Sequence, residues 1–116
     1  MRKISGKITC SAKNDIPEGS IATVSVMDCG RMDAPSITLG EQIITNPKHF
    51  PLRFEIEFDD SFLNLDQSFH GEYALSCRIE KGNKLEFIND TSFNIVQEHE
   101  TRKLYDTYDF HVIEVK

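Results

Sequence analysis

The segment Leu52-Arg53-Phe54-Glu55-Ile56-Glu57-Phe58 constrains the fold most, because every second residue is apolar and each residue between is charged. Side chains alternate across a β-strand, so Leu52, Phe54, Ile56 and Phe58 line one buried face and three charges the wet one. A helix would scatter the same four groups around its circumference. The same alternation runs through Ile4 to Cys10, Ala22 to Val26 and Tyr73 to Ile79, giving four well-marked strands. Weaker alternation predicts further strands in Ile37 to Ile44, Leu85 to Ile88, Phe93 to Val96 and Tyr108 to Val115, the last with Phe110 and Val112 inward.

Turn chemistry separates these runs. Gly82-Asn83 between Lys81 and Lys84 tolerates the positive φ of a tight hairpin. Asn14 to Gly19 forms another turn, and Asn46 to Pro51 is a bend whose prolines cannot donate to a ladder. In Asp59 to Gly71, Phe62 and Leu65 stand three apart after an Asp-Ser start, which allows one helical turn and no long helix. A chain of 116 residues, 39% hydrophobic, is the size of one ordinary domain. Strands that each bury a few side chains at about 1.5–3 kcal/mol apiece offset chain entropy without disulfides. The expected fold is therefore all-β: a single-domain β-sandwich, or small barrel, of seven or eight mostly antiparallel strands.

The same residues exclude several functions. A net charge of −6 has the wrong sign to grip nucleic acid or an anionic membrane. Cys10, Cys29 and Cys77 are odd in number and widely spaced, so they read as free thiols, with Cys10 and Cys77 on core faces. His49, His70, His99 and His111 show no metal-ligand spacing, and Glu98-His99-Glu100 reads as a solvated loop. Asp59 and Asp60 are adjacent and point apart, and there is no nucleophile elbow and no phosphate loop. The chain is expected not to be an enzyme and to need no cofactor. Asn89-Asp90-Thr91 fits a glycosylation sequon but reads as a polar turn. No apolar stretch approaches the length of a membrane-spanning helix. The opening MRKISGKITC lacks the apolar run of a signal peptide. A native start at residue 1 implies the cytoplasm; a removed leader would imply export.

Several blocks in one order carry a family resemblance. Ile16-Pro17-Glu18-Gly19-Ser20 is followed by a strand ending at Met27-Asp28, then Cys29-Gly30-Arg31-Met32-Asp33-Ala34-Pro35. Gly40 to Ile44, Phe50 to Ile56, Tyr73 to Ile79 and Gly82 to Thr91 continue the series. This succession resembles the YbaY and YscW family, the type III secretion lipoprotein chaperones or pilotins, over roughly residues 4 to 96. The resemblance implies a small β-sandwich, commonly exported and lipid-anchored, that assists assembly of an outer-membrane secretin. Cys10, after Lys7-Ile8-Thr9, does not match a lipobox. Residues 97–116 extend past the similar region, with an added edge strand expected in Phe110 to Val115.

The expected function is a non-catalytic, chaperone-like module that binds another protein through a sheet edge or the Asp28–Pro35 loop. Asp28, Arg31, Asp33 and Pro35 are the candidate contacts; the same charges also suit a loop held by an Asp–Arg pair and local hydrogen bonds. The alternative is a carrier of small apolar ligands with a pocket between the sheets, lined by Phe54, Phe58, Tyr73 and Phe87.

Overall fold

The computed structural model of the chain describes residues 2–11, 14–28, 37–58, 73–89, 93–94 and 107–115. The strands among them are β1 (Arg2–Thr9), β2 (Ile21–Asp28), β3 (Ile37–Thr45), β4 (Leu52–Phe58), β5 (Tyr73–Lys81), β6 (Lys84–Ile88), β7 (Phe93–Asn94), β8 (Phe110–His111) and β9 (Ile113–Glu114). The turn within Asp59 to Gly71, the loop around His99 and the end of the Phe93 to Val96 strand lie outside the described residues.

Two sheets pack face to face. The smaller has the order β4-β1-β8, and the larger β3-β2-β5-β6-β9, with β7 also on β5. All pairings are antiparallel except β1 with β8. The alternation in sequence becomes alternation in burial: β4 is buried at Leu52, Phe54, Ile56 and Phe58 and exposed at the charges between. In the larger sheet Ala22, Val24 and Val26 lie opposite Ile79, Cys77 and Leu75, all six inward and inaccessible. These rows meet Ile4, Ile8 and the β4 face in one core.

The β5–β6 hairpin closes on the Lys81–Lys84 pair around Gly82-Asn83, and Gly82 takes φ 61°. Positive φ at the first central residue alone is the type II′ pattern. Where β6 leaves β5, Asn89 substitutes for a ladder partner. Its Oδ1 accepts from the Cys77 N–H at 3.0 Å, and its Nδ2 donates to the Leu75 carbonyl at 3.4 Å. The amide of the sequon is thus engaged within the sheet, while Asp90 and Thr91 lie outside the described residues.

The C-terminal strand expected in Tyr108 to Val115 divides in two because the chain changes sheets. Phe110 and His111 run parallel to Ile8 and Thr9, and Ile113 and Glu114 then pair with Ile88 and Phe87. Val112 lies between, 1% exposed, its N–H donating to the Thr9 carbonyl. Phe110 is also buried, edge-on to Phe54 with ring centroids 5.8 Å apart. This strap ties the two sheets together along one side of the sandwich. On the opposite side Gly40 of β3 lies against β4, where an added Cβ would come within 2.8 Å of the Phe58 Cβ.

The strap depends on Gly6. A Cβ there would lie 1.5 Å from the Tyr108 carbonyl oxygen, which is backbone and cannot step aside alone. Gly6→Ala should lower stability in urea unfolding by about 1–3 kcal/mol or more. Gly19→Ala, at φ 86° with open space around it, should cost only about 1 kcal/mol.

Burial pushes the Cys77 thiol up from an ordinary 9.0 to about 12, since the thiolate has lost its water. The folded state therefore holds its proton where the unfolded chain releases it. That contribution to stability is complete below pH 9.0 and is lost as pH rises towards about 12. Cys77→Val, which cannot titrate, should show a shallower alkaline decline in stability. In the native protein Cys77 should resist alkylation at about pH 8 and react once unfolded.

Candidate partner-binding surface

Asp28 is the last residue of β2, and its backbone pairs with Ile37 on β3 and Tyr73 on β5. The loop that carries Arg31, Asp33 and Pro35 is therefore anchored at one end of the larger sheet, with β3 as its direct continuation. Cys29, Arg31, Asp33 and Pro35 themselves lie outside the described residues, so only the loop's two anchor points are placed.

Among the described strands β3 is an edge of the larger sheet. The Asn46 N–H donates to the Ser20 carbonyl at 2.9 Å, one step beyond the Ile21–Thr45 pair, and this sets the phase of the ladder. Hydrogen-bonded pairs alternate along an antiparallel ladder, so Ile44, Gln42 and Gly40 address β2. Thr45, Ile43 and Glu41 turn their N–H and C=O groups away from the sheet. All three are exposed, Ile43 by 57%, and Ile21 beside Thr45 on the outer face is 46% exposed. The opposing edge of β4 is partly taken: the Glu55 N–H donates to the Gln42 Oε1 at 2.7 Å. Ile43 was not singled out by the sequence reading, although a signal existed. Two adjacent isoleucines in a strand must face opposite sides, so Ile43-Ile44 leaves one of them exposed.

The turn around Ile16 to Gly19 and the bend before Pro51 are far apart in sequence and clasp one another. Ile16 and Phe50 donate their N–H groups to the carbonyls of Lys48 and Asn14, at 3.0 and 2.8 Å. Asn46, at φ 50°, accepts the Gly19 N–H on its Oδ1 at 3.0 Å. Asn is among the residues that tolerate the left-handed region, because its short side chain bonds locally. Two segments that carry the family resemblance thus form a single structural unit.

Beside this clasp is a surface groove of about 500 Å³, where Asp15, Glu86 and Glu114 flank Ile16 and Phe87. Phe87 stands edge-on to Phe50 at 5.2 Å and is 2% exposed. Phe54 and Phe58 are likewise core residues, 3% and 1% exposed, so rings fill the space between the sheets that the carrier alternative requires. Tyr73 contributes a described backbone only. His49 and His111 are exposed, and among the described residues no three His, Cys, Asp or Glu gather as a metal site would need. No helix among the described residues is long and apolar enough to cross a membrane.

The chain resembles known proteins over nearly all of its length. It is 28% identical over 100 residues to the uncharacterized lipoprotein YbaY of Escherichia coli (strain K12), a match that covers 85% of this chain and 50% of that protein. The chain therefore spans about half the length of this curated relative. The structure of an alternative pilotin from the type II secretion system of Vibrio cholerae superposes with a TM-score of 0.81 at 25% identity, covering 99% of this chain and 97% of that one. The family profile described as type III secretion system lipoprotein chaperone (YscW) matches residues 1–105, beyond the blocks that end near residue 96. With that match across both the clasp and the sheets, the chain belongs to the type III secretion system lipoprotein chaperone (YscW) family.

Proposed function

We propose that the chain is a non-catalytic, pilotin-like chaperone that binds a protein of an outer-membrane secretion assembly, with a secretin subunit as the expected partner. The family's description as lipoprotein chaperones supports the role, and the pilotin neighbour supports the partner class. The same description favours an exported location over a cytoplasmic one. The observation that carries the reading is continuity: the Asp28–Pro35 loop and the β3 edge, the two candidate contact elements, adjoin at Ile37. An exposed edge offers unpaired backbone groups for affinity, and a charged loop beside it offers specificity. Arg31 and Asp33 are the proposed contacts in that loop, with Asp28 and Pro35 at its ends.

Native mass spectrometry on the protein isolated from its own source should find a secretin subunit at fixed stoichiometry, and a processed or lipidated amino terminus. Arg31→Ala or Asp33→Ala should weaken the complex by roughly tenfold or more without altering the unfolding curve. Unchanged binding in both variants would remove the loop from the proposal, and a chain that never co-purifies with a protein partner would refute the chaperone reading.

A further inference from the structure

We infer that the edge of β3, the outermost strand on its side of the larger sheet among the described residues, pairs antiparallel with β3 of a second copy of this chain, across a twofold axis at Ile43. The outward-facing backbone groups of Glu41, Ile43 and Thr45 supply the ladder. In that register Ile43 meets Ile43, Glu41 meets Thr45 and Gln42 meets Ile44, so each outward residue pairs with another outward residue and about six backbone hydrogen bonds form.

Side-chain chemistry selects this axis over its neighbours. An axis at Glu41 sets two carboxylates directly opposite, which is repulsive. One at Gln42 puts each Glu41 against Ile43 and desolvates a charge without a partner. An axis at Ile44 runs Glu41 into Pro47, and one at Thr45 runs Ile43 into it. Proline has no N–H to give, and Asn46 beside it has left the extended conformation at φ 50°. Of these axes, the one at Ile43 sets Ile43 against Ile43 in an outward, hydrogen-bonding pair, leaves no like charges facing and keeps Glu41 to Thr45 clear of Pro47. It also brings both copies of Ile43 together on the outer face, with Ile21 of each copy flanking them, two of the large hydrophobic residues that the described surface exposes. Of the usual guards of an edge strand, Glu41 to Thr45 carries one charge, at Glu41, and no lysine, proline or bulge; the one irregularity on this ladder falls opposite Val26 and Met27. β4 lies against the inner face of β3, and its Glu55 N–H is held by the Gln42 side chain rather than by the β3 backbone.

Each copy carries a net charge of −6, so association should strengthen as salt screens the repulsion. The pairing goes beyond the secretion-partner reading and stands without it. The two would share the β3 edge, which makes the dimer a form that must open before a partner strand could add there.

The test is a cysteine scan of the full-length chain in a Cys29→Ser background, oxidised mildly and read by intact mass. Directly opposed, hydrogen-bonded residues have Cα atoms about 5.5 Å apart, within disulfide reach. Ile43→Cys should therefore link to itself. Glu41→Cys and Thr45→Cys should each stay unlinked alone and link when mixed. Sedimentation of the unmodified protein at about 100 µM should show a dimer, and Ile43→Lys should weaken it more than about tenfold. Ile43→Cys linking no faster than Glu41→Cys, or a monomer at every concentration and salt level, would overturn the inference whatever the chain does with a secretion partner.

Discussion

The carbonyl oxygen of Tyr108 occupies the space where any side chain at position 6 would stand. From that contact the rest of the closure follows. The Tyr108 N–H reaches the Ser5 carbonyl at 2.8 Å, Asp109 accepts the Lys7 N–H on Oδ1 at 3.0 Å, and the Val112 N–H reaches Thr9. β8 is thereby laid along β1 in parallel, and the next residues are delivered to β6 in the other sheet. Two open sheets with alternating faces would otherwise be joined along this side only by side-chain packing. A backbone strap adds directional hydrogen bonds that fix how the sheets sit over each other.

Closure of this kind distributes the edges unequally. β9 and β8 are consecutive pieces of one strap, and β4 is partly occupied through Gln42, whereas no described strand pairs with the outer side of β3, where Glu41, Ile43 and Thr45 are exposed. An exposed edge with an isoleucine at its centre is a liability unless something uses it. That imbalance connects the fold to the proposed function: the edge left open is the one that continues the Asp28–Pro35 loop. The acidic groove and the buried aromatic rings lie elsewhere, and the rings behave as core.

The family membership and the fold agree on a two-sheet, mostly antiparallel domain of the lipoprotein chaperone family. Its most perturbed described thiol, Cys77, is sealed inside the larger sheet, where loss of hydration keeps it protonated. Asn89 acts as a fixed piece of ladder rather than as a surface group.

What the sequence alone determined is what local periodicity encodes. Alternation identified β1, β2, β4 and β5, their inward faces, the sandwich architecture and the burial of Cys10, Cys77, Phe110 and Val112, because a period of two leaves only one face to bury. Turn chemistry located the Gly82-Asn83 hairpin for the same local reason. The ordered blocks from Ile16 to Thr91 carried the family. Tertiary structure alone decided which strands neighbour one another, that Ile16 and Phe50 clasp across distant segments, and that the final strand splits at Val112 to serve both sheets. It also decided that β3 stays on an edge and, through its register on β2, that Ile44 faces the core and Ile43 meets solvent. These are contacts between residues far apart in the chain, and no local pattern carries the register in which distant backbones meet.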